Sequence, residues 1–178
     1  MQRKFASGFT LIELIISIIL MGIISGLLAS IIAVNFSTMA EISDRKKLVT
    51  RGMLAIDLFE RELGMLKDST NLVIADDQQI QFNDKYGNTW DYSVSSATFT
   101  RQEVGVGSAI TLASPVINAD TEFHYFDGDN NELTSLPLSS TNLKLVRLIK
   151  LILAMDDGGT GVFLMSIVYP ENLKIYNP

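Results

Sequence analysis

The chain of 178 residues contains no cysteine and a single histidine, His124. Without cysteine there is no disulfide framework, no thiolate nucleophile and no lipobox cysteine for lipid attachment, although the redox compartment is not readable from this. With one histidine, a multi-histidine metal centre is excluded. No Gly-x-Ser-x-Gly string and no phosphate-cradling Gly-Lys-Ser/Thr string occurs, so two common routes to hydrolase and nucleotide chemistry are missing. No fixed-period repeat and no low-complexity segment is present. Charge is also missing where it matters most: from Leu14 to Val34, 21 residues run without one Asp, Glu, Lys or Arg.

Those residues, at about 1.5 Å per helical residue, would span roughly 30 Å, the thickness of a bilayer's hydrocarbon layer. Arg3 and Lys4 precede the run. The positive-inside bias predicts that this leader stays in the cytoplasm while the C-terminal part crosses. One carboxylate, Glu13, stands at the start of the apolar sequence, four residues after Phe9. An ionised side chain at mid-membrane costs about 2.5–3.5 kcal/mol on insertion scales, so such a residue usually has a partner. Gly22 and Gly26 form a Gly-x-x-x-Gly face able to pack two transmembrane helices.

The string Gly8-Phe9-Thr10-Leu11-Ile12-Glu13-Leu14 resembles the class III signal of type IV pilins and type II secretion pseudopilins. The resemblance implies that a prepilin peptidase cuts after Gly8 and methylates Phe9 as the new N-terminal residue. It implies that Glu13 meets the N-terminal amine of a neighbouring subunit. Cleavage there would remove Arg3 and Lys4 and leave a cationic amine at Phe9, so each mature subunit would place one positive and one negative group in the apolar layer. Pairing them between staggered neighbours would offset both burial costs and fix the axial register.

An ordinary secretory signal carries its small-residue cleavage site after the apolar core. Here the run is too long, and no Ala-x-Ala site stands clearly behind it. A plain membrane anchor would account for the apolar length and for Gly22 and Gly26. Neither accounts for Glu13 beside an intact Gly-Phe-Thr-Leu-Ile motif. Two departures from the better-known major pilins are the missing disulfide and Ser30, where many carry a helix-disturbing proline.

The rest of the chain is long enough for one domain of about 140 residues with a real core. Composition is 47% hydrophobic and 19% charged with a formal net charge of -6, and an acidic domain is a poor general binder of phosphate backbones. From Asn35 to Leu66 there is no proline, and a helical stripe runs through Phe36, Met39, Ile42, Val49, Met53, Ile56, Leu63 and Leu66. Beyond Leu66 the pattern predicts strands at Leu72 to Ala75, Gln79 to Asn83, Thr89 to Val94, Ala97 to Val104, Ala109 to Ala113, Thr121 to Phe126, Leu143 to Met155 and Val162 to Tyr169. Thr134 to Asn142 reads as a polar loop. The expected fold is α+β: a long N-terminal helix, its first half in the membrane, with a mostly antiparallel sheet packed on its second half. The expected division is a leader at 1–8, the transmembrane half of the helix at 9–36, and an exported, periplasmic domain at 37–178.

Other chemistry is thinly supported. Asp127, Asp129 and Asn131 offer oxygen ligands at alternate positions, as calcium loops begin. An EF-hand would need glycine where Glu132 stands and an acid where Leu138 stands, which leaves a looser calcium site or a plain turn. Lys144, Arg147 and Lys150 recur every three residues, yet three basic residues in an acidic protein make a weak nucleic-acid footprint. Arg45, Lys46 and Lys47 read as a solvated helix turn more readily than as a headgroup contact. His124, between Phe123 and Tyr125, reads as structural. No catalytic set is recognisable, and no cofactor is expected. The Phe123-His124-Tyr125-Phe126-Asp127 run and the terminus from Val168 to Leu173 are similar to J-type minor pseudopilins and W-type minor pilins. The resulting expectation is a non-enzymatic minor subunit of an inner-membrane pilus or secretion filament, with prepilin peptidase and other pilin or pseudopilin subunits as partners. The competing expectation is a membrane-anchored exported enzyme or binding module, for calcium or for DNA uptake.

Overall fold

With no proline before Pro115, the backbone can hold one uninterrupted helix, and α1 runs from Leu11 to Leu63, 53 residues. The computed structural model describes residues 9–156, 158 and 161–170. The chain forms two compact units, Met1–Ser43 and Asp44–Pro178, and α1 contributes to both.

In the first unit the helix is exposed along its whole described length, and it is apolar and long enough to cross a membrane. Several of its polar side chains turn back on the helix. Ser17 Oγ donates to Glu13 O at 2.7 Å, Asn35 Nδ2 to Ile31 O at 2.8 Å and Thr38 Oγ1 to Val34 O at 3.0 Å. Such back-bonding satisfies hydroxyl and amide groups where no water is at hand.

In the second unit the helix has a buried face through Leu48, Gly52, Ala55, Ile56, Phe59, Glu62 and Leu63. This corrects the stripe read from the sequence. Met53 is exposed, Leu66 lies beyond the end of the helix, and the buried face also includes Leu48, Ala55 and Phe59 together with Gly52 and Glu62, the last two not apolar by side chain. Gly52 is there because of what lies over it: a Cβ at this position would overlap Leu164 Cδ1 and lie 3.0 Å from Met155 Sδ. The strands can approach the helix closely only because residue 52 has no side chain.

The strands divide between two antiparallel sheets. The first is a meander of β1 (Leu72–Ala75), β2 (Gln79–Asn83), β3 (Thr89–Ser95), β4 (Thr98–Glu103) and β5 (Ile110–Ala113), in that spatial order. The second has β6 (Glu122–Phe126), β7 (Leu148–Met155) and β8 (Val162–Val168), also in chain order. Period-2 burial is clean in β2 and β3, where Ile80, Phe82, Trp90, Tyr92 and Val94 point inward. Phe59 of α1 joins the two sheets: its ring centroid lies 5.1 Å from that of Tyr92 in the first and 5.7 Å from that of Phe123 in the second. Edge-to-face and tilted pairs of this kind add about 0.5–1.5 kcal/mol each beyond the area they bury. The β1–β2 turn ties the sheets further, with Phe123 N donating to Asp77 O at 2.7 Å and Tyr125 Oη to Asp76 O at 2.9 Å.

Several predicted segments differ from the structure in their bounds. The strand expected from Ala97 starts at Thr98, because Ser96 and Ala97 form a two-residue hairpin turn with φ of 49° and 58°. Neither residue is glycine or asparagine, so the composition gave no turn signal. The strand expected from Leu143 starts at Leu148. Leu143 instead ends a one-turn helix, α2 (Ser140–Leu143), which Ser139 caps by accepting from Asn142 N at 3.3 Å. The polar loop expected from Thr134 to Asn142 contains most of that turn. Thr121 stands just before β6, its hydroxyl accepting from Ala154 N at 3.0 Å.

Candidate functional site

The candidate site is the start of α1. Gly8, the expected cleavage residue, lies outside the described residues, as do Arg3 and Lys4. Phe9 is exposed, and Thr10 opens the helix: its carbonyl accepts from Glu13 N at 3.1 Å and from Leu14 N at 3.2 Å, and its hydroxyl accepts from Glu13 N at 3.4 Å. Thr10-Leu11-Ile12-Glu13 thus has the Thr-x-x-Glu spacing of a capping box. The sequence reading missed this role because it took Thr10 as part of the processing motif alone; the spacing was there to find.

Glu13 lies in the first helical turn, where a carboxylate meets the positive end of the helix dipole, an interaction of about 0.3–1 kcal/mol at an exposed site. Its carboxylate has no hydrogen bond or ion pair among the described residues. Around and after it, Ile12, Leu14, Ile15, Ile16, Ile18 and Ile19 are all exposed. Gly22 and Gly26 have nothing within 4 Å of where a Cβ would stand, so their shared face is open. The segment therefore offers a partner an apolar rod, one carboxylate near its beginning and a flat small-residue face about nine residues later.

The other residues singled out in the sequence are engaged locally. Asp127 Oδ1 accepts from Asp129 N at 2.9 Å and Asn131 N at 2.8 Å, and Asn131 Nδ2 reaches Oδ2 at 3.1 Å. The backbone hydrogen bond from Asn131, then its side-chain amide, hold the Asp127 carboxyl below its ordinary value. The loop has the hydrogen bonds of a turn, and no group of three or more His, Asp or Glu side chains is placed to hold a metal ion among the described residues. His124 Nδ1 lies 2.6 Å from Glu132 Oε1, and its Nε2 lies 3.5 Å from Glu122 Oε2. Lys144 caps α2, Arg147 in the connection to β7 donates through Nη1 to the carbonyls of Lys144 and Val146, and Lys150 in β7 stands 5.8 Å from the Phe126 ring. Lys47 pairs with Asp44 at 2.7 Å on the exposed helix turn.

Two further polar clusters lie in the second unit. The first centres on buried Glu62. Arg101 Nε donates to Oε1 at 3.0 Å and Oε2 at 2.9 Å, Arg101 Nη2 to Oε1 at 2.6 Å, and Tyr92 Oη to Oε2 at 2.6 Å. The Trp90 ring closes the other side, 4.0 Å from the Arg101 guanidinium carbon. Burial and the Glu62 contact push the Tyr92 phenol well up, and hydrogen bonding to Glu62 raises Arg101. The second centres on buried Asp84, whose Oδ1 accepts from Tyr86 N and Asn88 N and whose Oδ2 accepts from Asn88 Nδ2 and Trp90 Nε1. Burial is the largest single influence and pushes this carboxyl up. The hydrogen bonds from Asn88, Trp90 and Tyr86 together outweigh it and leave the group below its ordinary value. The Glu62 cluster joins residues by tertiary geometry, 39 positions apart in the Glu62–Arg101 case, and no local spacing announces it. The Asp84 cluster is local, with its partners two to six residues further on in the β2–β3 turn and the start of β3.

Residues 3–29 match the model of the prokaryotic N-terminal methylation motif. This is the signal of type IV pilin-like precursors that prepilin peptidase processes, and it implies assembly with other pilins. The match ends before the second compact unit begins. No curated protein matches the chain.

Proposed function

We propose that the processed chain is a non-enzymatic minor subunit of a type IV pilus or type II secretion pseudopilus, anchored in the inner membrane with its N-terminus cytoplasmic and residues 37–178 in the periplasm. The observation that carries this reading is Glu13: a carboxylate without a partner among the described residues, four residues from Phe9, on a stretch of helix before Asp44 whose apolar side chains are exposed. An unpaired charge in hydrocarbon is costly, and a second subunit's N-terminal amine at Phe9 removes that cost. Glu13 then sets where each subunit stops along its neighbour.

The finer assignment, to a J-type or W-type minor subunit near the filament tip, draws its support from the Phe123 to Asp127 run, which forms β6 and its turn. Of the terminus from Val168 to Leu173 that shares the resemblance, residues 171–173 lie outside the described residues. Neither calcium nor nucleic acid is needed for this role, since Asp127 is committed to its turn and the three basic residues are dispersed. The test is to isolate the protein from membranes, sequence its N-terminus by mass spectrometry and identify what co-purifies. The expected result is N-methylated Phe9 together with pilus or secretion subunits. Full-length protein in a working machine would overturn the reading.

A further inference from the structure

The segment that follows α1 is pinned to the β2–β3 turn: Lys85 N donates to Met65 O at 2.9 Å, and Leu66 forms a bridge with Asp84. Residues of both line an open cleft of about 520 Å³, inside the range of roughly 300–1,000 Å³ common for small-molecule sites. Lys67 enters it from the first and Lys85 from the second. Neither lysine has an ion pair among the described residues, although the chain has a net charge of -6. The acids beside them in sequence are spent elsewhere. Asp68 Oδ1 accepts from Thr70 N at 2.8 Å, and Asp84, 2% exposed, accepts its four hydrogen bonds from Tyr86, Asn88 and Trp90. The accessible charge in the cleft is therefore cationic.

The rest of the wall is neutral and rich in hydrogen-bonding groups. Asn83 Oδ1 accepts from Thr89 Oγ1 at 2.7 Å, which leaves Asn83 Nδ2 a donor without a partner among the described residues. Tyr86 is 71% exposed, and Lys85 Nζ stands 5.2 Å from its ring centre, so a ring and a charge are presented together. A cradle for phosphate is missing. Such cradles use the backbone N–H groups of a turn or helix start, and here Tyr86 N and Asn88 N donate to Asp84 Oδ1, Gly87 N to Asp84 O and Lys85 N to Met65 O. A bare anion would also leave most of the volume empty. We propose that this cleft binds an acidic saccharide, a sugar that carries a carboxylate. Lys67 and Lys85 hold the carboxylate, Asn83 and Thr89 meet ring hydroxyls, and the Tyr86 ring takes the C–H face of the sugar. The cleft lies within the second unit and stands independently of how the N-terminus is processed.

The test is calorimetric titration of the full chain, in a detergent without a sugar headgroup and at constant ionic strength, with glucuronate, glucose, acetate and inorganic phosphate. The expected result is saturable binding of glucuronate, about tenfold tighter than that of glucose, acetate or phosphate. Lys67→Met and Lys85→Met should each weaken it about tenfold, since a charge-assisted contact is lost, while Lys144→Met, exposed elsewhere on the unit, leaves it unchanged. Both lysines are exposed and unpaired, so the two variants should keep the wild-type thermal transition and report on binding alone. Polygalacturonate separates the two sources of such a ligand: glucuronate binding assigns the cleft to a free sugar acid, and binding of the polymer alone, lost in the lysine variants, assigns it to a polysaccharide. Acetate or phosphate bound as tightly as the acidic saccharide, no binding of either glucuronate or polygalacturonate, or binding unchanged in both lysine variants would overturn the proposal.

Discussion

Two glutamates on one helix have opposite surroundings. Glu62 is buried and holds Arg101 through two nitrogens and Tyr92 through its hydroxyl, so its charge is fully used inside the chain. Glu13 is exposed, has no partner among the described residues, and is surrounded in sequence by leucine and isoleucine. The difference shows what each region is for. From Asp44 onward the described residues make their own core, and the buried carboxylates of Glu62 and Asp84 are satisfied within it. The part of α1 before Asp44 has no buried residue among those described, and under the proposed function its apolar surface and Glu13 face lipid and other subunits.

The largest effect expected is all-or-none and falls on the first region. Gly8→Ala should block processing, leaving the full-length chain on a blot, while the thermal transition of the second unit stays where it was. Next comes the buried cluster. Removing one partner of a buried ion pair leaves the other uncompensated, so Arg101→Ala should destabilise the full chain in detergent by about 3–5 kcal/mol in denaturant unfolding, with processing unaffected. A double replacement of Glu62 and Arg101 by apolar residues should recover much of that loss, because the desolvation penalty goes with the charges.

Asp84→Asn should cost about 1–3 kcal/mol at neutral pH, since a charged acceptor of four hydrogen bonds becomes neutral. The sign with pH follows from the lowered carboxyl. Its stabilisation is complete above the ordinary aspartate range, near pH 4, and is lost as pH falls through the lower folded value. The gap between the wild type and the variant should therefore shrink below about pH 4 in an acid titration followed by tryptophan fluorescence. Gly52→Ala should have the smallest effect, a loss under about 1 kcal/mol, because the gain in helix propensity opposes the displacement of Leu164. Gly52→Val, larger and poorer in a helix, should cost more.

How far the sequence could be read also differs between the regions. The apolar run, the processing string and Glu13 are local patterns, and the helix begins where Thr10 allows it. In the second unit, Leu72–Ala75 and Gln79–Asn83 match the predicted strands because alternation and turn residues agree there. The reading failed where tertiary packing decided. Ala97 adopts a left-handed turn with no glycine to mark it, and Gly52 is buried because a strand passes over it. Glu62 is inside because Arg101 reaches it from another element. The split of the strands into two sheets is likewise set by Phe59 and by the β1–β2 turn, which no single stretch encodes.

The most direct test of the central claim is to follow Glu13→Val in cells beside the wild type, scoring cleavage at Gly8-Phe9 by blot and incorporation into sheared or purified filaments. Cleavage at the wild-type level with incorporation largely lost is the predicted result. Incorporation equal to wild type would contradict the role given to Glu13, because the unpartnered carboxylate would then have no task in assembly.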